Sequence, residues 1–147
     1  MASYEKRTWW SRHGLTDRLR DETFLEAAVT CAFLVAAADG HQSEQEYDAL
    51  LDRLEILGGV DRDKIDDLLT AVSNDVDARG FETRIARVAE LIAGDKGNAE
   101  AALMLGMAIA LADDDVSKEE REVAGQLSAA LGLGLLTLDG MIAEIRG

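Results

Sequence analysis

The sequence predicts an all-α protein, a single helical bundle of seven to eight helices with an internal pseudo-twofold repeat. Three observations support this prediction. The 147 residues include no proline and only 5% aromatic residues, whereas Ala and Leu, which have high helix propensity, are frequent. Apolar residues recur at helical spacing rather than in the alternating runs typical of strands. Finally, two segments repeat one pattern, and the length suits one domain with one core.

The repeat relates residues 38–46 (ADGHQSEQE) to residues 112–120 (ADDDVSKEE) at a constant offset of 74. Each copy follows an almost wholly apolar run. This arrangement predicts a duplicated helix–loop–helix unit, with repeat halves at about residues 22–75 and 79–132. We expect both halves to belong to one domain that begins at residue 21.

The first helix of that domain is predicted to begin at a cap formed by Asp21 or Thr23 and to run to about Ala38. All but one of residues 27–38 are apolar, so we expect this helix to be buried on every side. Gly40 is the expected C-terminal cap.

The second helix is predicted to begin at Ser43, because Glu46 follows three residues later and completes the capping-box pattern. Gly58 and Gly59 are expected to end it. Its predicted core residues are Tyr47, Leu50, Leu51, Leu54 and Leu57.

Asp61 is the expected cap of a third helix, with the polar stretch 73–78 as its end and a loop. A fourth helix follows and ends near Gly94, and residues 95–98 are predicted to form a turn. The expected core residues of these two helices are Ile65, Leu68, Leu69, Val72, Phe81, Ile85, Val88 and Ile92.

The apolar run 101–112 is the counterpart of the first helix. Ser117 and Glu120 form the second capping box, and Gly132 is expected to end the helix that follows. A last short helix is predicted over residues 137–145. The core residues expected after the second capping box are Val123, Ala124, Leu127 and Leu131.

The N-terminal arm, residues 1–20, carries a net charge of +3, whereas residues 21–147 carry −17. Trp9 and Trp10 lie in this basic arm and are candidates for binding a partner or a membrane surface. The alternative is that they cover the domain's own core while the basic residues meet its acidic surface.

Charge and hydrophobicity disfavour several classes of protein. The net charge of −14 disfavours nucleic-acid binding, which depends on Lys and Arg. The longest apolar runs are shorter than the roughly 20 residues that a membrane-spanning helix needs. Residues 1–20 lack the apolar region of a secretory signal, and Cys31 has no second cysteine to pair with. We therefore expect a cytoplasmic protein that does not span the membrane and in which Cys31 is buried.

The two acidic segments form the candidate functional site. Each follows the C-terminal end of an apolar helix, where the helix dipole makes a carboxylate unfavourable by about 0.3–1 kcal/mol unless a positive charge lies nearby. Two such placements at equivalent points predict a bound cation. Carboxylate, hydroxyl and carbonyl oxygens suit Ca²⁺, Mg²⁺ or Mn²⁺. The candidate ligands are Asp39, Glu46, Asp113, Asp115 and Glu120.

Some of these side chains have an alternative role. Glu46 and Glu120 each occupy the capping-box position, where the carboxylate accepts a hydrogen bond from the amide of its own N-cap residue. His41 has no counterpart in the second segment, and we interpret it as an exposed loop residue. Neither segment fits an EF-hand, because a charged residue stands where that loop requires Gly.

At these positions the sequence resembles the TerB family of tellurite-resistance proteins. The resemblance rests on residues 38–40 (ADG) and 43–46 (SEQE) after an apolar helix, with a related acidic segment in the second half, and covers about residues 22–132. It implies an all-α fold with pseudo-symmetry, a metal-binding acidic surface and no catalysis. It also implies stress-response partners, including membrane proteins, at the cytoplasmic face of the membrane.

We favour a non-enzymatic protein that binds a divalent cation and couples this binding to a partner. The alternative is an acidic protein–protein interaction scaffold without a specific metal site. A carboxylate-dependent hydrolase is disfavoured, because no convincing nucleophile, phosphate-binding loop or second His accompanies the carboxylates. The oligomeric state is left open.

Overall fold

The computed structural model describes residues 11, 13–38, 44–92, 94–110 and 117–146, and within them every regular element is helical. The predicted all-α fold is therefore confirmed. The helices of the described residues are α1 (Leu15–Arg18), α2 (Glu22–Ala36), α3 (Glu44–Gly58), α4 (Arg62–Arg79), α5 (Phe81–Ile92), α6 (Lys96–Ala110), α7 (Lys118–Ala130) and α8 (Leu135–Arg146).

Helices α2 and α6 form the centre of the fold. Residues 27–35 of α2 and residues 101–109 of α6 are all buried, as their apolar composition predicts. Asp21 rather than Thr23 caps α2, since its Oδ1 accepts a hydrogen bond from the Thr23 amide at 2.8 Å. Helices α3, α4, α5 and α7 also contact α2, so its core-facing surface meets protein on several sides.

Helices α2 and α6 cross at an unusually short distance, which the absence of a side chain at Gly106 permits. A Cβ atom on Gly106 would lie 2.5 Å from the Cβ of Cys31 and 2.9 Å from the backbone nitrogen of Ala32. Both distances are shorter than van der Waals contact between these atoms, so a larger residue at position 106 requires the two helices to separate. Gly106 and Ala32 occupy equivalent positions of the repeat, which places the crossing at corresponding points of the two helices.

The outer helices bury the faces that their periodicity predicts. The expected core residues that are fully buried are Leu50, Leu51 and Leu54 of α3, Ile65, Leu69 and Val72 of α4, Ile85, Val88 and Ile92 of α5, and Val123, Ala124 and Leu127 of α7. Leu131, just beyond α7, is buried as well, and Tyr47, Leu68 and Phe81 pack against the core as half-buried residues. The side chain of Leu57 lies outside the described residues.

The predicted loop at residues 73–78 is wrong, because α4 continues to Arg79. Val76 packs against the core and prolongs the buried stripe of this helix. Asn74 and Asp77 are exposed on the outer side of this helix, and Asp75 pairs with Arg84, so the polarity of the stretch does not mark a helix end. Gly80, whose φ of +88° favours glycine, is the residue that ends it.

The predicted turn at residues 95–98 is also wrong, because α6 begins at Lys96. Asp95 Oδ1 accepts a hydrogen bond from the Asn98 amide at 3.0 Å, which caps the helix. The four polar or small residues form the cap and first turn of α6, where unpaired amides favour polar partners.

A partly buried ionic cluster joins α2, α4 and α5. The guanidinium of Arg84 lies 3.0 Å from Glu26 Oε2 and 3.2 Å from Asp75 Oδ2, and only 11% of its side chain is exposed. Arg87 also donates to Glu26, at 3.2 Å. Because low dielectric surroundings make an unpaired charge costly, these pairings fix how the three helices meet.

The end of the N-terminal arm packs on the domain. Leu15 and Leu19 are buried in the core, and Arg18 donates to the carbonyl of His13 at 2.8 Å and to the side-chain oxygen of Asn98. Asn98 belongs to the first turn of α6, so residues 13–19 are attached to the central helix pair.

The helix bounds keep the offset of the sequence repeat. Helix α6 begins and ends 74 residues after α2, and α7 begins 74 residues after α3. These bounds agree with a duplicated helix–loop–helix unit, whereas the pseudo-twofold symmetry itself remains a prediction.

We predict that Gly106→Ala lowers the free energy of unfolding by about 1–3 kcal/mol, because the added methyl group overpacks the crossing. Gly125→Ala is the matched control. Gly125 is also a helical glycine, but a Cβ atom there would have nothing within 4 Å, so its replacement should stabilise α7 by up to about 1 kcal/mol. Urea unfolding of both variants tests this, and equal stability of Gly106→Ala and wild type would contradict the close crossing.

We also predict a pH-dependent stability from Cys31, which is fully buried. Burial raises the pKa of its thiol from 9.0 to about 12. Below pH 9 the thiol is neutral in both states; above it the unfolded chain releases a proton that the folded chain retains. The Cys31 contribution to stability is therefore lost as the pH rises from about 9 towards 12, at about 1.4 kcal/mol per pH unit.

Urea unfolding of wild type and Cys31→Ala between pH 8 and pH 11 measures this contribution. The difference in unfolding free energy between the two proteins should shift in favour of Cys31→Ala as the pH rises. A difference that stays constant with pH would show that the thiol is not buried as described.

Candidate functional site

Most of the predicted site residues cannot be placed. Asp39, Asp113 and Asp115 lie outside the described residues, as does His41. Glu46 lies in the first turn of α3, but its side chain is outside the description. The described structure therefore defines the flanks of both acidic segments rather than the segments themselves.

Glu120 is described, and it forms the predicted capping box at the start of α7. Its Oε1 accepts a hydrogen bond from the Ser117 amide at 2.8 Å, while Ser117 Oγ accepts one from the Glu120 amide at 3.1 Å. One carboxylate oxygen is thus used by the local backbone. The second oxygen and the negative charge are what Glu120 could offer to a cation.

The central crossing brings the two helix ends that precede the acidic segments close together. Ala36 and Ala110 each lie four residues beyond the crossing, which is about 6 Å along the axis at 1.5 Å per residue. With axes about 8 Å apart, the two ends lie within about 15 Å of one another whatever the crossing angle. Asp39 and Asp113, the first acidic residues of the two segments, each follow their helix end by three residues, and three residues span at most about 10 Å.

A protein cation already lies at one of these helix ends. Arg53 of α3 donates a hydrogen bond from Nη1 to the carbonyl oxygen of Ile109 at 3.1 Å. Ile109 is the next-to-last described residue of α6, and Asp113, whose amide would be its helical partner, lies outside the described residues. A positive charge there is favoured by the helix dipole and by the acidic residues that follow in the chain.

The donor types of the two segments fit a hard divalent cation, since carboxylate oxygens dominate. Among the described residues, however, no group of three or more His, Cys, Asp or Glu side chains is placed to hold a metal ion.

Arg53 and the Arg84 cluster were not predicted from the sequence. One signal was available for Arg53, since it lies three residues after Leu50 in the stripe that α3 buries. Arg84 similarly follows Phe81 by three residues on the buried side of α5. A charged residue at a core-facing position indicates a partner, but the sequence does not identify that partner.

Trp9 and Trp10, the predicted partner-binding residues, also lie outside the described residues. The described part of the arm nearest to them, from His13 onward, is attached to the start of α6 through Arg18. No described helix is both long enough and apolar enough to cross a membrane.

Comparison with known proteins gives one match. Residues 25–138 match the family model described as Tellurite resistance protein TerB, which covers most of the chain, from the first turn of α2 into α8. No curated protein and no solved structure matches the chain significantly.

We predict that two substitutions of Glu120 separate its capping role from its charge. Glu120→Gln keeps an acceptor for the Ser117 amide and should change the free energy of unfolding by less than about 0.5 kcal/mol. Glu120→Ala removes the acceptor and should cost about 0.5–1.5 kcal/mol. Thermal and urea unfolding without divalent ions measure both, and equal losses would show that charge, not the hydrogen bond, stabilises α7.

Proposed function

The chain belongs to the TerB family, which supports a tellurite-resistance-like role, and from this premise we propose that it is a non-enzymatic stress-response protein that binds a divalent cation. The cation is Ca²⁺, Mg²⁺ or Mn²⁺. We propose that cation binding is coupled to the binding of a partner protein on the cytoplasmic side, with a membrane protein as one such partner.

One observation carries the proposal: the Gly106 crossing places the ends of α2 and α6 within about 15 Å of each other. Two acidic segments that are 74 residues apart in sequence therefore follow helix ends that lie near each other. Carboxylates so placed repel one another, and a divalent cation relieves that repulsion. The proposed ligands are Asp39, Glu46, Asp113, Asp115 and Glu120.

The proposed partner contact is the basic arm with Trp9 and Trp10. Its support is the contrast in charge, since the arm carries +3 and the rest of the chain −17. Tryptophan and arginine side chains are enriched where proteins bind one another. Arg18, near the end of the arm, donates a hydrogen bond to Asn98 at the start of α6. A partner bound by the arm would therefore lie against the domain.

An acidic scaffold without a specific metal site is the second candidate, and two contacts favour it. The capping box uses one oxygen of Glu120. Arg53 places a guanidinium at the end of α6. If such contacts account for every carboxylate, the charge of −14 serves only to attract a basic partner, and binding would depend on salt but not on chelator.

We predict that Ca²⁺ or Mn²⁺ raises the melting temperature of chelator-stripped protein. At an ion concentration one hundred times its Kd the gain is about 2.7 kcal/mol, or several degrees for a domain of this size. The double variant Asp39→Asn/Asp113→Asn should lose this shift. Glu120→Gln should reduce it without lowering stability in the absence of the ion.

The matched control is Asp67→Asn/Asp77→Asn, which removes the same charge from exposed positions of α4. This control should keep the full shift. Equal shifts in the site variant and the control would place the ion elsewhere on the acidic surface, and no shift in wild type would leave the scaffold as the function.

A further inference from the structure

Gly97, in the first turn of α6, lies so close to Arg18 of the N-terminal arm that no room is left for a side chain at position 97. A Cβ atom on Gly97 would lie 2.8 Å from Nη2 of Arg18. Glycine is otherwise unfavourable in a helix, because it is a poorer helix former than alanine. The space that it leaves for the guanidinium therefore explains the glycine at this position.

The guanidinium of Arg18 joins the arm to α6 through hydrogen bonds on two sides. Its Nε donates to the carbonyl oxygen of His13 at 2.8 Å, and its Nη1 donates to Oδ1 of Asn98. Asn98 is itself fixed at the start of α6, since its backbone amide donates to Oδ1 of Asp95 at 3.0 Å. We refer to Gly97 and Asn98, which together receive the guanidinium, as the Arg18 seat.

The repeat shows that polar residues stand here where its other copy has apolar ones. Helix α1 ends 74 residues before α5 does, and the two pack on different central helices, α1 on α6 and α5 on α2. At the same offset Arg18 corresponds to Ile92 and Asn98 corresponds to Phe24, and both Ile92 and Phe24 are buried in the core. Helix α5 therefore has apolar side chains at the positions where the arm and its contact on α6 have polar ones.

A polar contact of this kind opens more readily than a buried apolar one. When it opens, water replaces the hydrogen bonds of the guanidinium, so their net contribution to stability is small. Apolar side chains gain no such replacement in water. Leu15 and Leu19 of the arm are buried as well, so loss of the arginine contact shifts the balance between the attached and the detached arm without preventing attachment.

We propose that Arg18 and its seat form a latch, which sets how often residues 13–19 detach from α6 while the rest of the domain stays folded. The latch itself does not depend on the proposed cation binding. Its consequence for a partner rests on the proposed function, because Trp9 and Trp10 precede these residues in the chain. Detachment of residues 13–19 would allow a partner bound by the arm to move away from the domain.

Amide hydrogen exchange of the full chain, measured without ion or partner, tests the latch. The amides of Arg18 and Leu19 donate to Gly14 and Leu15 within the arm, and a single helical turn does not persist once it has detached. Arg18→Gln removes the guanidinium and should speed exchange at residues 18 and 19 by about threefold to tenfold, after correction for intrinsic rates. The buried residues 27–35 of α2 should exchange as in wild type.

Two substitutions in the seat should act in opposite directions. Gly97→Ala displaces the guanidinium while it favours α6 as a helix, so exchange at residues 18 and 19 should rise although α6 is not weakened. Added to Arg18→Gln, it should have no further effect on these amides, because the group that it displaces is already absent. Asn98→Asp gives Nη1 a charged acceptor and should slow their exchange.

Arg20→Gln is the matched control, since Arg20 is an exposed arginine of the same arm, and it should leave exchange at Leu19 unchanged. Circular dichroism shows whether each variant is folded, and Gly97→Ala decides the test if Arg18→Gln is not. Unchanged exchange at Leu19 in the folded variants overturns the latch, as does an equal gain in Arg20→Gln or in α2. Because neither ion nor partner is present, this result is independent of the outcome for the proposed function.

Discussion

The contact between Gly106 and the Cys31–Ala32 backbone is the constraint on which the rest of the structure depends. Without a Cβ atom at 106, two helices that are apolar on nearly all sides approach closely enough to exclude solvent from each other. Helices α3, α4, α5 and α7 then cover the faces of α2 that α6 leaves open. The same contact limits the distance between the ends of α2 and α6, so core packing and the proximity of these helix ends have one cause.

Three partly buried arginines of the described residues lie where helices join. Arg84 pairs with carboxylates of α2 and α4, Arg18 links the arm to α6, and Arg53 links α3 to the end of α6. Each connects elements that are distant in sequence. Arg84 does so through carboxylates, whereas the contacts described for Arg18 and Arg53 include backbone carbonyl oxygens.

The sequence predicted those features that depend on local spacing. Apolar residues three and four apart identified the buried faces of α5 and α7, and Ser117 with Glu120 identified a capping box that the structure contains. The prediction from the sequence was wrong at residues 73–78 and 95–98, where polar residues were interpreted as a loop or turn. In both places the polar residues are helical, because an outer helix face and a first helical turn favour polar side chains as much as a loop does. Arg53 was missed because the Ile109 carbonyl that it contacts is 56 residues away. Arg84 was missed because it pairs with Glu26, 58 residues away, and with Asp75 on the preceding helix, and no local pattern contains these pairs.

The surplus of negative charge has a further consequence for cation binding. A chain with 29 acidic and 15 basic residues attracts divalent ions to its whole surface, so the association of an ion does not by itself indicate a specific site. Ion binding at a specific site depends on the position of each charge, whereas this general attraction depends on the number of charges. At the end of the described part of α6, Arg53 donates a hydrogen bond to the Ile109 carbonyl, and a segment rich in Asp follows in the sequence. Position therefore distinguishes this arginine from the basic residues that are exposed on the outer helices.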